Sequence, residues 1–314
     1  MKPLHLVALV LFNLVWGATF VVYKSLPASL DYETIVTLRF GIAAIGAMLV
    51  WPWLPGPAPR GAPLARTLAL GVVVFVIGHR LQVLGNALGT AGNSAVLMAF
   101  EPVMTSVAAA LFLREHVPAR RWLAFALSVG GVLLLNGIGR PDFQWMGLAA
   151  SALILASFLG ETAYSVVGKP IIQRADPVKT LALALLAGLV VNVALCGDKV
   201  ATAARTLPLN AWLLLGFMGI IATLAGYAAW FFVLRDTDVN LVALTVFIQP
   251  LAGVPLAVWL LGEPLHAGHL WGSAAIATGL LIGLQFRPAP MPPPASVVAA
   301  EGEPTAARDQ GGSS

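Results

Sequence analysis

Ten separated runs of apolar residues limit what this chain can become: roughly 4–24, 34–53, 66–87, 90–113, 121–138, 145–168, 178–196, 210–233, 239–261 and 268–286. Most reach the ~20 residues a helix needs to cross a bilayer core about 30 Å thick. Hydrocarbon offers no hydrogen bonds, so backbone at that depth must satisfy its own N–H and C=O groups, which runs of this length do as helices. Hydrophobic residues make up 59% and charged ones 10%, against roughly 25% charged in soluble domains. Breaks such as PWLPGPAPRGAP at 52–63 punctuate the runs. The first run follows Lys2 and continues through Phe20, Val21 and Val22 without a small-residue cleavage site, so it is expected to persist as a helix.

The second constraint is internal repetition. In the fourth run Glu101 and Pro102 adjoin, and Glu115 follows the proline by thirteen residues. Displaced by 148 positions, Gln249, Pro250 and Glu263 stand in the same places. Without a gap, the same offset pairs Gly71 with Gly219, Gly78 with Gly226, Ala119 with Ala267 and Gly131 with Gly279. Matches of Ala or Leu are cheap in so apolar a chain, but a shared proline-to-glutamate spacing in a long ungapped register is not. The unit is duplicated.

Lys and Arg set the orientation. With a cytoplasmic N-terminus, twelve basic residues fall in inside segments and four (Lys24, Arg140, Lys199 and Arg205) outside, a positive-inside bias that places both termini in the cytoplasm. Five spans per half then invert the second half relative to the first. The expected fold is an all-α polytopic membrane protein of ten transmembrane helices, in two inverted five-helix repeats at 1–140 and 141–286. Such repeats meet around a binding site near the bilayer midplane. The Pro-, Ala- and Gly-rich tail, 287–314, is expected to be a disordered cytoplasmic segment.

The net charge of +4 is spread over short loops rather than clustered with aromatics, which argues against a nucleic-acid partner. The single cysteine, Cys196, excludes an intramolecular disulfide and a multi-cysteine metal site. No metal or cofactor is expected. A small-molecule substrate and the lipid bilayer are the expected partners, with the protein a monomer or homodimer.

Ionisable groups inside spans are costly, at about 2.5 kcal/mol or more each, and mark functional sites or buried pairs. Two acids qualify, Glu101 and Glu161, with Arg39, His79 and Arg80 as bases at similar depth. A carboxyl group held away from water can exchange a proton as its surroundings change. Glu101 and Glu161 are therefore candidates for proton coupling or for contact with a substrate amine. The alternative is an ion pair with Arg80 or Arg39 that only fixes packing. Glu161 shares a helix face with Ser157, Tyr164, Ser165 and Gly168. His79, Gln82 and Asn86 share another, and the 148-residue offset sets Tyr227 opposite His79 and Trp230 opposite Gln82. Trp16 and Phe20 lie on one face of the first run with Asn13 and Gly17. Substrate-binding candidates are thus Trp16, Phe20, His79, Gln82, Asn86, Glu101, Glu161, Tyr164, Tyr227, Trp230 and Gln249. Arg80, rotated ~100° from His79, points to structure or ion pairing, and Glu115 and Glu263 to caps or loop contacts.

Trp16-Gly17 followed by Phe20, the Arg39-Phe40 pair, and the proline-to-glutamate pattern of spans four and nine resemble the drug/metabolite transporter superfamily, and within it the EamA-type ten-helix branch. The likeness covers residues 4–286. Many members carry a tryptophan in the sixth span where this chain has Gly160-Glu161. The resemblance implies secondary transport of a small metabolite in the inner (plasma) membrane by alternating access, often outward, through a cavity lined by both halves. Carboxylates, imidazole and aromatics together suit an amino acid or related compound. Exchange of organic anions or phosphorylated solutes is the competing transport reading, with Arg39 and Arg80 facing the cavity. An intramembrane hydrolase is a third, on Gly92-Asn93-Ser94-Ala95 with His79 as base, but the second glycine of that motif is missing. No P-loop or His-Glu-x-x-His is present, so an enzyme is not expected.

Overall fold

The computed structural model describes residues 2–26, 30–88, 100–135, 137–139, 148–261 and 267–284, with Leu97 and Pro141 besides. Side chains including those of Phe20, Lys24 and Asn86 fall outside this description, as do Glu263, residues 92–95 and the tail from 287, on which expectations had been placed.

All regular structure among the described residues is helical. The elements are α1 (Pro3–Ser25), α2 (Tyr32–Val50), α3 (Ala62–Val72), α4 (His79–Leu88), α5 (Glu101–Phe112), α6 (Ala119–Leu135), α7 (Leu148–Ile172), α8 (Pro177–Thr206), α9 (Leu209–Gly216), α10 (Gly226–Arg235), α11 (Val239–Leu244), α12 (Ile248–Leu261) and α13 (Ala267–Leu284). Helix occupies part of every one of the ten apolar runs. Six helical stretches are long and apolar enough to cross a membrane: Tyr32–Trp53, Ala62–Gly85, Ala149–Ile172, Pro177–Thr206, Leu209–Arg235 and Ala267–Leu284. Pro3–Thr19, Glu101–Phe112 and Val239–Ala252 are shorter apolar helices. Aspartate caps start two of the helices. Asp31 accepts from Thr34 N at 2.7 Å to open α2, and Asp176 accepts from Val178 N and Lys179 N at 2.9 Å to open α8.

Helix α8 departs from expectation. Its run was expected to end at Cys196, yet helix continues to Thr206 through one non-helical residue, Cys196 itself, at φ −149° and ψ 22°. The sequence beyond is polar but alanine-rich, and alanine favours helix whatever its surroundings.

Two matched distortions were not foreseen. A π-helical segment, Val73–Gly78, joins α3 to α4, and another, Phe217–Ala225, joins α9 to α10. Each leads directly into the stretch bearing His79 or Tyr227, and those residues are 148 apart. Such wide turns free carbonyls and often occur at functional sites. The Phe75 carbonyl takes Asn192 Nδ2 at 3.0 Å, and the Ala222 carbonyl takes Trp16 Nε1 at 2.6 Å.

The helices pack tightly, α6 on α13 most extensively, with α2 on α8, α1 on α12, α4 on α7 and α5 on α7. Glycine permits two of the closest approaches. A Cβ at Gly71 would overlap the Ala184 backbone of α8, and one at Gly219 would come within 2.8 Å of Ile42 and 2.9 Å of the Arg39 carbonyl on α2. Those glycines are a 148-residue pair, and each lies against a helix of the other half.

Polar networks tie both ends of the bundle. At one end Glu115 accepts from Val239 N (2.9 Å), Asn240 N (3.2 Å) and Asn240 Nδ2 (2.7 Å), capping α11, and pairs with Lys169 Nζ at 2.7 Å. Lys169 also donates to the Thr237 carbonyl at 2.9 Å, and Arg121 donates to Asn240 Oδ1. Elsewhere Arg80 donates to Asn192 Oδ1 (3.0 Å) and Cys196 Sγ (3.2 Å) and pairs with Glu33 at 3.3 Å, while Glu33 also takes Lys199 at 2.7 Å. The alternative that pairs Glu101 with Arg80 is not what the described residues show. Arg80 turns toward α2 and α8, where Glu33, just ahead of an apolar run, supplies its counter-charge.

Candidate functional site

One cavity is bordered by residues from α1, α2, α4, α5, α7, α10 and α12. Nine of the eleven candidate residues line it: Trp16, His79, Gln82, Glu101, Glu161, Tyr164, Tyr227, Trp230 and Gln249. The Phe20 and Asn86 side chains lie outside the description. Thr19, Tyr23, Arg39, Ser165 and Val246 complete the lining. Arg80 does not border it. Of the five additions, two carried a sequence signal: Ser165, on the polar stripe with Glu161, and Arg39, a base inside a span that the anion-exchange reading turns toward the cavity.

The first π segment delivers His79 to the cavity, where Phe40 lies against its ring at a centroid distance of 4.6 Å. His79 Nδ1 meets Gln82 Oε1 at 3.2 Å, which orients the imidazole, and Nε2 lies 3.1 Å from the Tyr227 hydroxyl and 3.4 Å from Glu161 Oε1. Tyr227 donates to Glu161 Oε1 at 3.0 Å. Imidazole, phenol and carboxyl group thus form a triangle in which a proton can sit between nitrogen and carboxylate oxygen. Glu101, the first residue of α5, is close enough to Glu161 for the two to interact electrostatically.

The positions that correspond to the two acids are filled by neutral groups, of which Gln249 borders the cavity. Gln249 Nε2 donates to Asn13 Oδ1 at 3.1 Å, and Asn13 Nδ2 donates to the Leu9 carbonyl (2.8 Å) and Thr245 Oγ1 (3.1 Å). Asn13 is fully buried. The 148-residue offset relates Asn13 to Glu161 and Glu101 to Gln249.

Aromatic rings form the remaining wall. Trp16 meets Tyr227 at 5.7 Å and Trp230 at 5.8 Å between centroids. The Trp230 indole donates to Ser165 Oγ at 3.2 Å, and Tyr164 stacks on Phe231 at 4.1 Å. Arg39 donates through Nε to Thr223 Oγ1 (2.9 Å) and through Nη1 to the Tyr23 hydroxyl (2.6 Å). Among the described residues no cluster of His, Cys, Asp and Glu is arranged to hold a metal ion.

The EamA-like transporter family model matches residues 4–137 and again 148–284, one copy in each half. The chain belongs to this family. It is therefore a multi-pass membrane protein of a transporter family, with a duplicated family domain. It is similar to an uncharacterized transporter of Archaeoglobus fulgidus, 23% identical over 87% of this chain and 95% of the relative. It is also similar to a probable amino-acid metabolite efflux pump of Salmonella typhimurium, 24% identical over 86% of this chain and 91% of that protein. A solved crystal structure shares the fold of this EamA-like chain, with a TM-score of 0.75 at 16% identity over 91% of this chain and 99% of that one.

Proposed function

We propose that the protein is a secondary active transporter that moves an amino acid or related small metabolite by alternating access, with efflux its physiological direction. The observation carrying this reading is the cavity lining. His79 with Tyr227, Gln82 with Trp230, and Glu101 with Gln249 are 148-residue pairs, and all six side chains border one space. A cavity built jointly by two copies of a unit is what rocking inverted repeats close upon. The reading takes the repeats as residues 1–140 and 141–286, inverted, with both termini cytoplasmic. The packing of α1 on α12 and of α5 on α7 supports it, since the first pair joins spans one and nine and the second joins their counterparts six and four. The Glu115 network would then hold the cytoplasmic end shut. Substrate class rests on the mixture of carboxylates, imidazole and indoles in the lining, and on the amino-acid metabolite named for the Salmonella relative. Proton coupling rests on Glu101 and Glu161.

Counterflow in proteoliposomes tests the reading. Liposomes loaded with one unlabelled amino acid at a time should accumulate the labelled form, with no ATP present. A protein that exchanges none of a full amino-acid panel, while exchanging a sugar phosphate or dicarboxylate, is instead an anion exchanger.

A further inference from the structure

Arg39 is a buried charge that the cavity leaves unanswered. Its side chain stands on α2 with 5% of the residue exposed, yet it borders the cavity. Both of its hydrogen-bond partners, Thr223 Oγ1 and the Tyr23 hydroxyl, are neutral. Among the described residues it makes no ion pair, whereas Arg80, one helix away, is matched by Glu33. The Phe40 ring lies 5.1 Å from its guanidinium carbon and offers only a weak cation–π contact. A guanidinium has five N–H donors and does not lose its charge in proteins, and two of the five are engaged here. Charge at this depth requires a partner or a wet cavity.

The geometry points to Arg39 as the carboxylate-binding pole of the cavity, so that the protein takes α-amino acids as zwitterions and discriminates against the corresponding amines and amides. This rests on the transporter reading above and deepens it. Glu161 supplies the opposite pole: it feels the charge of Arg39 but forms no ion pair with it, its hydrogen bond coming from Tyr227 and its close contact from His79. The stations are set by one span. Thr223, which holds Arg39, and Tyr227, which holds Glu161, are four residues apart, about one turn along the same helical stretch. A carboxylate and ammonium on one carbon atom fit between poles so placed. The carboxylate would accept from the guanidinium, the geometry in which arginine binds most strongly. The ammonium would donate to Glu161 and Glu101, and the side chain would extend toward Trp16 and Trp230. A zwitterion answers both poles without adding net charge. An amine would leave Arg39 unpaired, and a simple carboxylate would leave the acids unpaired.

The test compares full-length wild type with Arg39→Gln and Arg39→Lys in proteoliposome counterflow. Phenylalanine or leucine, whichever the wild type exchanges better, competes against its primary amide, its decarboxylated amine and its deaminated acid. The wild type should prefer the amino acid by at least about thirtyfold over the amide, a loss in line with one charge-assisted contact plus the unpaired charge it leaves. Arg39→Gln should bring amide and amino acid within about threefold of each other, and Arg39→Lys should restore part of the gap. A clamp that merely ties α1, α2 and the second π segment together would lower overall transport and leave this ratio unchanged. Wild type that exchanges amide or amine as well as amino acid overturns the assignment of Arg39 alone, as does Arg39→Gln with the ratio intact. Wild type that exchanges no amino acid overturns the transport reading with it. Should Arg39→Gln not fold, the wild-type analogue series and the lysine variant decide.

Discussion

Two corners of the cavity are built on the same plan and filled with different chemistry. In one, Gln249 donates to Asn13 at 3.1 Å. In the other, the residues at the corresponding positions are Glu101 and Glu161, which interact electrostatically. Two amides complement each other without help, since each carries both a donor and an acceptor. Two carboxylates side by side repel unless a proton or a cation lies between them. Duplication explains why both corners exist, and divergence explains why one holds two amides and the other two acids. Asn13 is also tied to the Leu9 carbonyl and to Thr245, whereas the acid corner draws on His79 and Tyr227 from two further helices.

The largest effect should come from erasing the difference. Glu101→Gln combined with Glu161→Asn turns the acid corner into a copy of the amide corner. The protein should fold, because Gln249 and Asn13 already form that pair between the two halves, but amino-acid counterflow should fall about 100-fold. That figure follows from leaving the substrate ammonium with neither carboxylate, a loss of ~3 kcal/mol that either acid alone prevents. Counterflow within threefold of wild type would mean that the acids do not hold the substrate.

A smaller and more selective effect is expected from Glu101→Gln alone. The groups facing this corner, Glu161, His79, Tyr164, Tyr227 and Arg39, all remain. Exchange without a gradient should stay within about twofold, since Glu161 still receives the ammonium, while uptake driven by a pH gradient should drop about tenfold, the effect of removing one titratable group from the pair. Proton-driven uptake that survives unchanged would remove Glu101 from coupling. A collapse in stability is not expected, because the arginine it would strand, Arg80, is paired with Glu33 instead.

These variants can be designed because much of the molecule was legible in its sequence. Apolar length is a direct demand of the bilayer, so the helical runs could be read off. The proline, glycine and glutamate spacing survived duplication because close packing and helix breaks tolerate few substitutes, as Gly71 and Gly219 illustrate. Polar residues at helical spacing identified the faces of α4, α7 and α10. What stayed hidden depends on contacts distant in sequence. Arg39 stood out as a base inside a span, but its partners Tyr23 and Thr223 lie on other helical stretches and could not be named. The π segments contain neither proline nor a polar break. Their freed carbonyls are taken by Asn192 and Trp16, more than a hundred positions away. Glu33 precedes its run and reads as loop, so the true partner of Arg80 could not be named.

Tyr227→Phe should act more mildly. It removes the hydroxyl that links His79 to Glu161 and spares the ring that packs on Trp16 and Tyr164. One hydrogen bond of this kind is worth ~1 kcal/mol, or roughly fivefold in apparent substrate affinity. His79→Gln should add little on top of it if the three groups act as one unit, and a double-mutant cycle on substrate affinity measures this directly. Additive losses would show that the histidine reaches the substrate separately.

The smallest effect should appear in the amide corner. Gln249→Leu deletes the donor to Asn13 Oδ1 and leaves that oxygen without its partner. Asn13 still donates to the Leu9 carbonyl and to Thr245 Oγ1, so its position on α1 is held. The cost is that of one neutral, buried hydrogen bond, ~1 kcal/mol of stability, and counterflow should stay within about twofold of wild type. If Asn13 and Gln249 instead bind substrate, the same change would depress transport as deeply as Tyr227→Phe while moving the melting temperature no further. Measuring both quantities on one preparation separates the two cases. The contrast between the corners holds only if the amide pair shows its effect in stability and the acid pair in transport.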